Sequence, residues 1–126
     1  MEDLHIEMTK YTPEIHLNAS SGLMYISGKS YPENTFDFYK PVMEWMERYF
    51  EGDVQEKTII NMEIIYFNSS SSKLFFDFFD LIEEVNDKNN IEINWLYDEE
   101  NESALEAGED FKEDFESLNF NLVIKS

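Results

Sequence analysis

The chain has 126 residues and a formal net charge of −19, with 28 acidic residues against 9 basic ones. This length suits a single domain over residues 1–126, and the hydrophobic share of 42% is enough for a buried core. The absence of cysteine excludes a disulfide scaffold and thiolate metal sites. The negative charge disfavours binding to nucleic acid or to anionic membranes. Without a secretory signal or an apolar run of roughly 20 residues, we expect a cytoplasmic protein.

The first predicted elements are a β-hairpin and a long helix. Glu14–Ala19 and Leu23–Gly28 alternate roughly between apolar and polar residues, and the Ser-Ser-Gly segment between them is typical of a turn. After a proline-containing loop, apolar residues from Phe36 to Phe50 follow a helical period, which predicts that they form the buried arc of the helix. Pro41 either kinks this helix or marks its start as a first-turn proline. Gly52 is expected to end it.

Strands and helices alternate through the rest of the chain. The predicted elements are a central strand at Lys57–Phe67, a helix at Leu74–Val85, a strand at Ile91–Tyr97, a helix at Ser103–Phe115 and a closing strand at Asn119–Ile124. This alternation predicts an α/β fold. We expect one domain with a mixed, mostly parallel sheet, an N-terminal β-hairpin and about three helices.

Signatures of catalysis and of metal binding are missing from the sequence. There is no glycine-rich dinucleotide motif, no P-loop and no His-Glu-x-x-His. The chain has only two histidines, His5 and His16, so a transition-metal site is not expected. The acidic stretch Asp98–Glu102 leads into a helix, and Ser103 stands where a calcium-binding loop requires glycine. We therefore predict no catalytic residue, no metal and no cofactor.

The serine-rich junction Asn68–Lys73 lies between the central strand and the following helix. Asparagine and serine cap helix N-termini, but four consecutive serines exceed what one cap needs. A phosphate at Ser69 would meet the free N–H groups of the helix start, and Lys73 on the same face would help to neutralise it. Phe76 falls on the acidic face of the helix, where it is either a singly exposed apolar residue or a contact for a partner.

The loop before the first long helix is expected at the same site. Loops at one end of a parallel sheet converge, although proline and asparagine are also ordinary residues of a tight helix-entry loop. The residues predicted to form a partner-binding surface around Ser69 are Tyr31, Pro32, Glu33, Asn34, Asn68, Ser70, Lys73 and Phe76.

Three blocks of the sequence resemble the SiaC family of bacterial regulatory phosphoproteins: Gly28–Asn34, Tyr66–Ser71 and Tyr97–Phe111. The resemblance covers nearly the whole chain. It implies a fold similar to the STAS-type anti-sigma-factor antagonists, in which a serine or threonine at a helix start is the switch. It places the phosphorylation site at Ser69, with Ser70 as the alternative. The family pattern has threonine at this position, and serine is a chemically equivalent departure for a kinase.

The resemblance also implies a partner switch. A serine/threonine kinase of the histidine-kinase-like ATPase type would phosphorylate Ser69, and a PP2C-type phosphatase would reverse the reaction. The unphosphorylated form would bind and activate a diguanylate cyclase, which raises cyclic di-GMP and favours biofilm formation. Two alternatives stay open from the residues alone. One is a constitutive acidic interaction module whose serines only cap a helix, and the other is a small enzyme that uses surface carboxylates.

Overall fold

The computed structural model describes residues 1–125, which form one six-stranded sheet and three α-helices. The strands lie in the sheet in chain order, with β1–β2 and β2–β3 antiparallel and β3 to β6 parallel. This arrangement confirms the predicted α/β class with its N-terminal hairpin and mostly parallel sheet. The elements are β1 (Leu4–Ile6), β2 (Glu14–Asn18), β3 (Leu23–Ser30), α1 (Thr35–Arg48), β4 (Thr58–Phe67), α2 (Ser69–Val85), β5 (Ile91–Asp98), α3 (Glu102–Asp114) and β6 (Asn119–Lys125).

The three α-helices cover one face of the sheet. Each helix connects two neighbouring parallel strands, and from β3 to β6 every strand is added on the same side of the one before it. Because such connections are right-handed, their helices all lie on the same face of the sheet. Side chains alternate between the two faces of a strand, and those that point towards the helices form the core. Met62, Ile93 and Trp95, for example, are fully buried on β4 and β5.

An amide ladder crosses the opposite, open face of the sheet. Asn61, Asn94 and Asn121 lie directly opposite one another on β4, β5 and β6. The Asn94 amide donates to Asn61 Oδ1 at 2.9 Å, and the Asn121 amide donates to Asn94 Oδ1 at 3.3 Å. Because an amide side chain donates and accepts at once, the ladder satisfies its polar groups within the sheet.

Helix α1 begins at Thr35, where the Asn34 side chain accepts a backbone N–H of the first turn. Pro41 therefore lies inside the helix, and the first-turn alternative is wrong. Its ring removes one intrahelical hydrogen bond, and the helix continues to Arg48. Gly52 lies in a π-helical turn that follows, so the α-helix ends before the predicted position.

Two further boundaries differ from the prediction. Strand β1 was not predicted, because three residues are too short to show an alternating pattern. It pairs with β2 and places His5 opposite His16. Helix α2 begins at Ser69 instead of Leu74, so the serines form the first turn of the helix and not a loop before it.

Helix α3 approaches the sheet closely at Gly108. A Cβ atom at this position would lie 2.5 Å from Trp95 Cδ1 and 2.8 Å from Leu122 Cδ2. Trp95 is fully buried, and its indole N–H donates to the Ala104 carbonyl at 2.9 Å. The close contact therefore depends on the missing side chain of Gly108.

We expect Gly108→Ala to lower the free energy of unfolding by roughly 1–3 kcal/mol, because the added methyl group overpacks the contact with Trp95. This loss should outweigh the gain in helix propensity, since alanine is about 1 kcal/mol more favourable than glycine inside a helix. Gly52→Ala is the matched control, since a Cβ there has no neighbour within 4 Å. Urea unfolding followed by tryptophan fluorescence measures both variants. Equal stability of the two would contradict the packing account.

Candidate functional site

The predicted site lies at the sheet edge where the parallel strands β3 and β4 end. The last residues of these strands are Ser30 and Phe67, and the Asn68 N–H donates to the Ser30 carbonyl at 3.1 Å. The carboxyl ends of parallel strands meet at one edge, and α1 and α2 both begin there. The topology therefore brings the Tyr31–Asn34 loop to the serine-rich junction.

Asn68 is the N-cap residue of α2. Its backbone is extended, with φ −87° and ψ 176°. Its Oδ1 accepts the Ser71 N–H at 2.9 Å, and its carbonyl accepts the Ser72 N–H at 2.9 Å. This is the bonding expected of an asparagine cap. The preceding N–H groups, those of Ser69 and Ser70, have no intrahelical acceptor.

A buried network of three hydroxyl groups ties α2 to β3 and α1. The Ser71 hydroxyl donates to the Ser30 carbonyl at 2.9 Å. The Ser30 hydroxyl lies 2.8 Å from Ser71 Oγ and 2.5 Å from the Tyr39 hydroxyl. Each hydroxyl has one proton to donate. All three protons are used if Tyr39 donates to the Ser30 hydroxyl, Ser30 donates to Ser71 Oγ and Ser71 donates to the Ser30 carbonyl. Burial raises the pKa of Tyr39, which keeps this donor protonated.

The four serines differ in accessibility. Ser71 is 0% exposed, and Ser72 is half-buried in a cleft that also contains Phe76 and faces α3. Ser69 and Ser70 are exposed. Within this run, the hydroxyl groups that solvent can reach freely are therefore those of Ser69 and Ser70. Ser71 serves the structure of the junction.

A cleft of about 490 Å³ opens beside the first turns of α2. It brings together six of the predicted partner-binding residues. Phe36, which is 69% exposed, was assigned to the buried arc of α1 by its helical period. It instead lines the cleft, because the buried residues of α1 begin only at Tyr39. The lining residues are Pro32, Glu33, Asn34, Thr35, Phe36, Asn68, Ser70, Lys73, Leu74 and Asp77.

Two predicted residues lie outside this cleft. The Tyr31 ring contacts Tyr11 and Tyr66 edge-on, with centroid distances of 5.3 Å and 5.6 Å, and forms an aromatic cluster next to it. Tyr11 and Tyr66 are not among the predicted site residues. Phe76 lies towards α3, 4.9 Å from the Phe115 ring and 41% exposed. Its role as a partner contact stays a prediction.

The charged residues that line the cleft are Glu33, Lys73 and Asp77. Lys73 is exposed and lines the cleft with Ser70, whereas Ser69 lies outside it. Residues 1–125 contain no group of three or more histidine, aspartate or glutamate side chains arranged so that it could hold a metal ion. In the same part of the chain, every helix is too short or too polar to cross a membrane.

We expect Ser71→Ala to lower the free energy of unfolding by roughly 1–3 kcal/mol, because the buried Ser30 hydroxyl loses its acceptor and the Ser30 carbonyl loses the Ser71 donor. Ser70→Ala, one residue away and exposed, should stay within about 0.5 kcal/mol of the parent chain. Thermal and urea unfolding measure both. If the two variants lose the same stability, the hydroxyl network does not hold the junction.

Comparisons with known proteins support a regulatory family. The model of the SiaC family of regulatory phosphoproteins matches residues 6–125. An uncharacterized protein of Pseudomonas aeruginosa strain UCBPP-PA14 is 37% identical over 115 residues, which is 90% of each chain.

Solved structures from Pseudomonas aeruginosa share the fold over nearly the whole length. Apo-SiaC superimposes with a TM-score of 0.87 at 34% identity and covers 100% of both chains. SiaC in complex with the diguanylate cyclase SiaD, of which it is the activator, gives 0.85 at 35% identity, over 97% of this chain and 98% of the other. With a family match across residues 6–125 and a relative 37% identical over nine-tenths of its length, the chain belongs to the SiaC family of regulatory phosphoproteins.

Proposed function

We propose that this chain is a phosphorylation-controlled partner-switch protein that activates a diguanylate cyclase. The observation that carries the proposal is the match over nearly the full length to SiaC, including SiaC in complex with SiaD. The chain acts by binding and not by catalysis. The two histidines, the best candidates for a general base, lie on β1 and β2, and neither lines the cleft beside α2.

Phosphorylation at Ser69 would act locally. The phosphate adds roughly −1.5 to −2 charges at pH 7 and considerable bulk. The free N–H groups at the start of α2 would hold it, while Asn68 and Ser71 keep the helix anchored to β3. The backbone would therefore stay in place, and a partner that contacts the first turn of α2 would meet a new charge on a surface that otherwise fits.

We assign the modification to a kinase of the histidine-kinase-like ATPase type and its reversal to a PP2C-type phosphatase, both in the cytoplasm. The unmodified chain would bind the cyclase, and the effect on the cell would be a rise in cyclic di-GMP and more biofilm. Ser69 is favoured over Ser70 because the resemblance to the family implies the switch residue at this position. The exposure of both hydroxyl groups keeps Ser70 as the alternative.

Substitution at Ser69 tests the switch. We expect Ser69→Ala to activate a SiaD-type cyclase as the parent chain does, and Ser69→Asp to raise the concentration needed for half-activation by roughly tenfold or more, because it places a charge in the interface. Synthesis of cyclic di-GMP from GTP, measured against protein concentration, gives both values.

Ser20→Asp provides the charge-matched control. Ser20 is exposed in the turn between β2 and β3. This turn precedes the start of β3, whereas the serine-rich junction lies where β3 and β4 end, so the substitution should leave activation unchanged. Equal activation by Ser69→Ala and Ser69→Asp, with both still binding the cyclase, would favour a constitutive acidic interaction module. Failure of every form to bind a cyclase would exclude this partner.

A further inference from the structure

A groove of about 430 Å³ lies between the end of α1 and the second half of α2. Its floor is apolar: Phe50, Leu81 and Val85 pack against the core and remain partly exposed. Five carboxylates surround this floor. They belong to Glu47, Glu51, Asp77, Asp80 and Glu84.

The carboxylates of the groove are not neutralised by the rest of the described chain. None of the ion pairs found in residues 1–125 includes them. Acidic residues on the open face of the sheet differ in this respect. Lys125 pairs with Glu63 at 2.8 Å, and Lys57 pairs with Glu92 at 3.2 Å. Hydrogen bonds from Asn94 and Lys57 lower the pKa of Glu92. The groove therefore keeps a negative potential that attracts a cationic partner.

The shape of the groove fits a helix better than an extended peptide. Asp77, Asp80 and Glu84 are spaced i, i+3 and i+7, so they form one wall along two turns of α2. The walls are helices, whose backbone groups already bond internally. An extended peptide over the apolar floor would leave its own N–H and C=O groups unpaired, whereas a helix satisfies them itself and offers an apolar face.

The groove continues to the serine-rich junction. Asp77 lines both the groove and the cleft that contains Ser70 and Lys73. A partner helix in the groove would thus extend along α2, whose 17 residues span about 25 Å at 1.5 Å per residue. One end of such a helix would lie near the first turn of α2.

We infer that the groove between α1 and α2 is a docking site for a basic amphipathic helix of a protein partner. Its apolar residues cover Phe50, Leu81 and Val85, and its lysine or arginine side chains pair with the carboxylates around them. A second copy of this chain does not fit, because it would bring the same unpaired carboxylates together. The inference goes beyond the proposed switch and does not depend on phosphorylation of Ser69.

Peptide binding to the full chain tests the inference. The probe is a fluorescein-labelled, acetylated and amidated peptide of leucine and lysine, with leucines at i, i+3, i+4 and i+7, and the reference is a scrambled peptide of the same composition. By fluorescence anisotropy at physiological salt, we expect the amphipathic peptide to bind roughly tenfold more tightly than the scrambled one. Equal affinities would overturn the inference, because charge alone would explain them.

Paired variants locate the binding. Asp80→Asn combined with Glu84→Gln should weaken binding of the amphipathic peptide roughly three- to tenfold, the loss expected from two exposed ion pairs. The control, Glu109→Gln with Glu113→Gln on the exposed face of α3, removes the same charge and should change affinity less than about twofold. Equal losses would contradict the groove.

Two further measurements test whether the peptide binds in the groove and whether a second copy of the chain occupies it. On addition of the peptide, amide chemical shifts should change at Phe50, Leu81 and Val85. Changes confined to the open face of the sheet would contradict the inference. Sedimentation of the chain alone should show no association through the groove. Self-association that is relieved by peptide would assign the groove to a second copy instead.

Discussion

The hydrogen bonds that Ser71 makes with Ser30 fix the geometry on which the rest of the site depends. Ser30 ends β3, Ser71 lies in the first turn of α2, and Tyr39 joins from α1. One small buried network thus sets where both helices begin relative to the sheet. It also divides the serine run, because a hydroxyl that holds the structure is not available to a kinase. The neighbouring Ser69 and Ser70 stay free on a helix start that does not need them for its stability.

The distribution of charge gives the second constraint. The open face of the sheet balances its acidic residues with lysines and an amide ladder, whereas the groove between α1 and α2 leaves its carboxylates unpaired within the described residues. A net charge of −19 is therefore more than a means of solubility. Five of the 28 acidic residues surround the apolar floor of this groove, where they would attract a cationic helix next to the surface that phosphorylation would alter.

The fold could largely be predicted from the sequence, because the hairpin, the central strand and the three helices follow strong local patterns. Strand β1 could not, since its three residues carry no period and its pairing with β2 is a tertiary event. Pro41 had two local interpretations, and the Asn34 cap decides between them because it starts the helix at Thr35.

The predicted site shows the same limit. Chain order and parallel topology were enough to bring the Tyr31–Asn34 loop to the serine-rich junction. Sequence could not rank the four serines, because their difference arises from a hydroxyl partner 41 residues away in the chain. The prediction for Phe36 was wrong for a related reason: a helical period marks an apolar residue as inward, whereas the buried residues of α1 begin only at Tyr39.

The most direct test of the account is the site of phosphorylation in the folded chain. The protein is treated with the kinase of its own system and ATP, and the phosphate is located by tandem mass spectrometry of the peptide that contains residues 69–72. The account predicts phosphate at Ser69, or at the neighbouring exposed Ser70, and none at Ser71. Phosphate at Ser71, or no phosphate on any of the four serines, would contradict it.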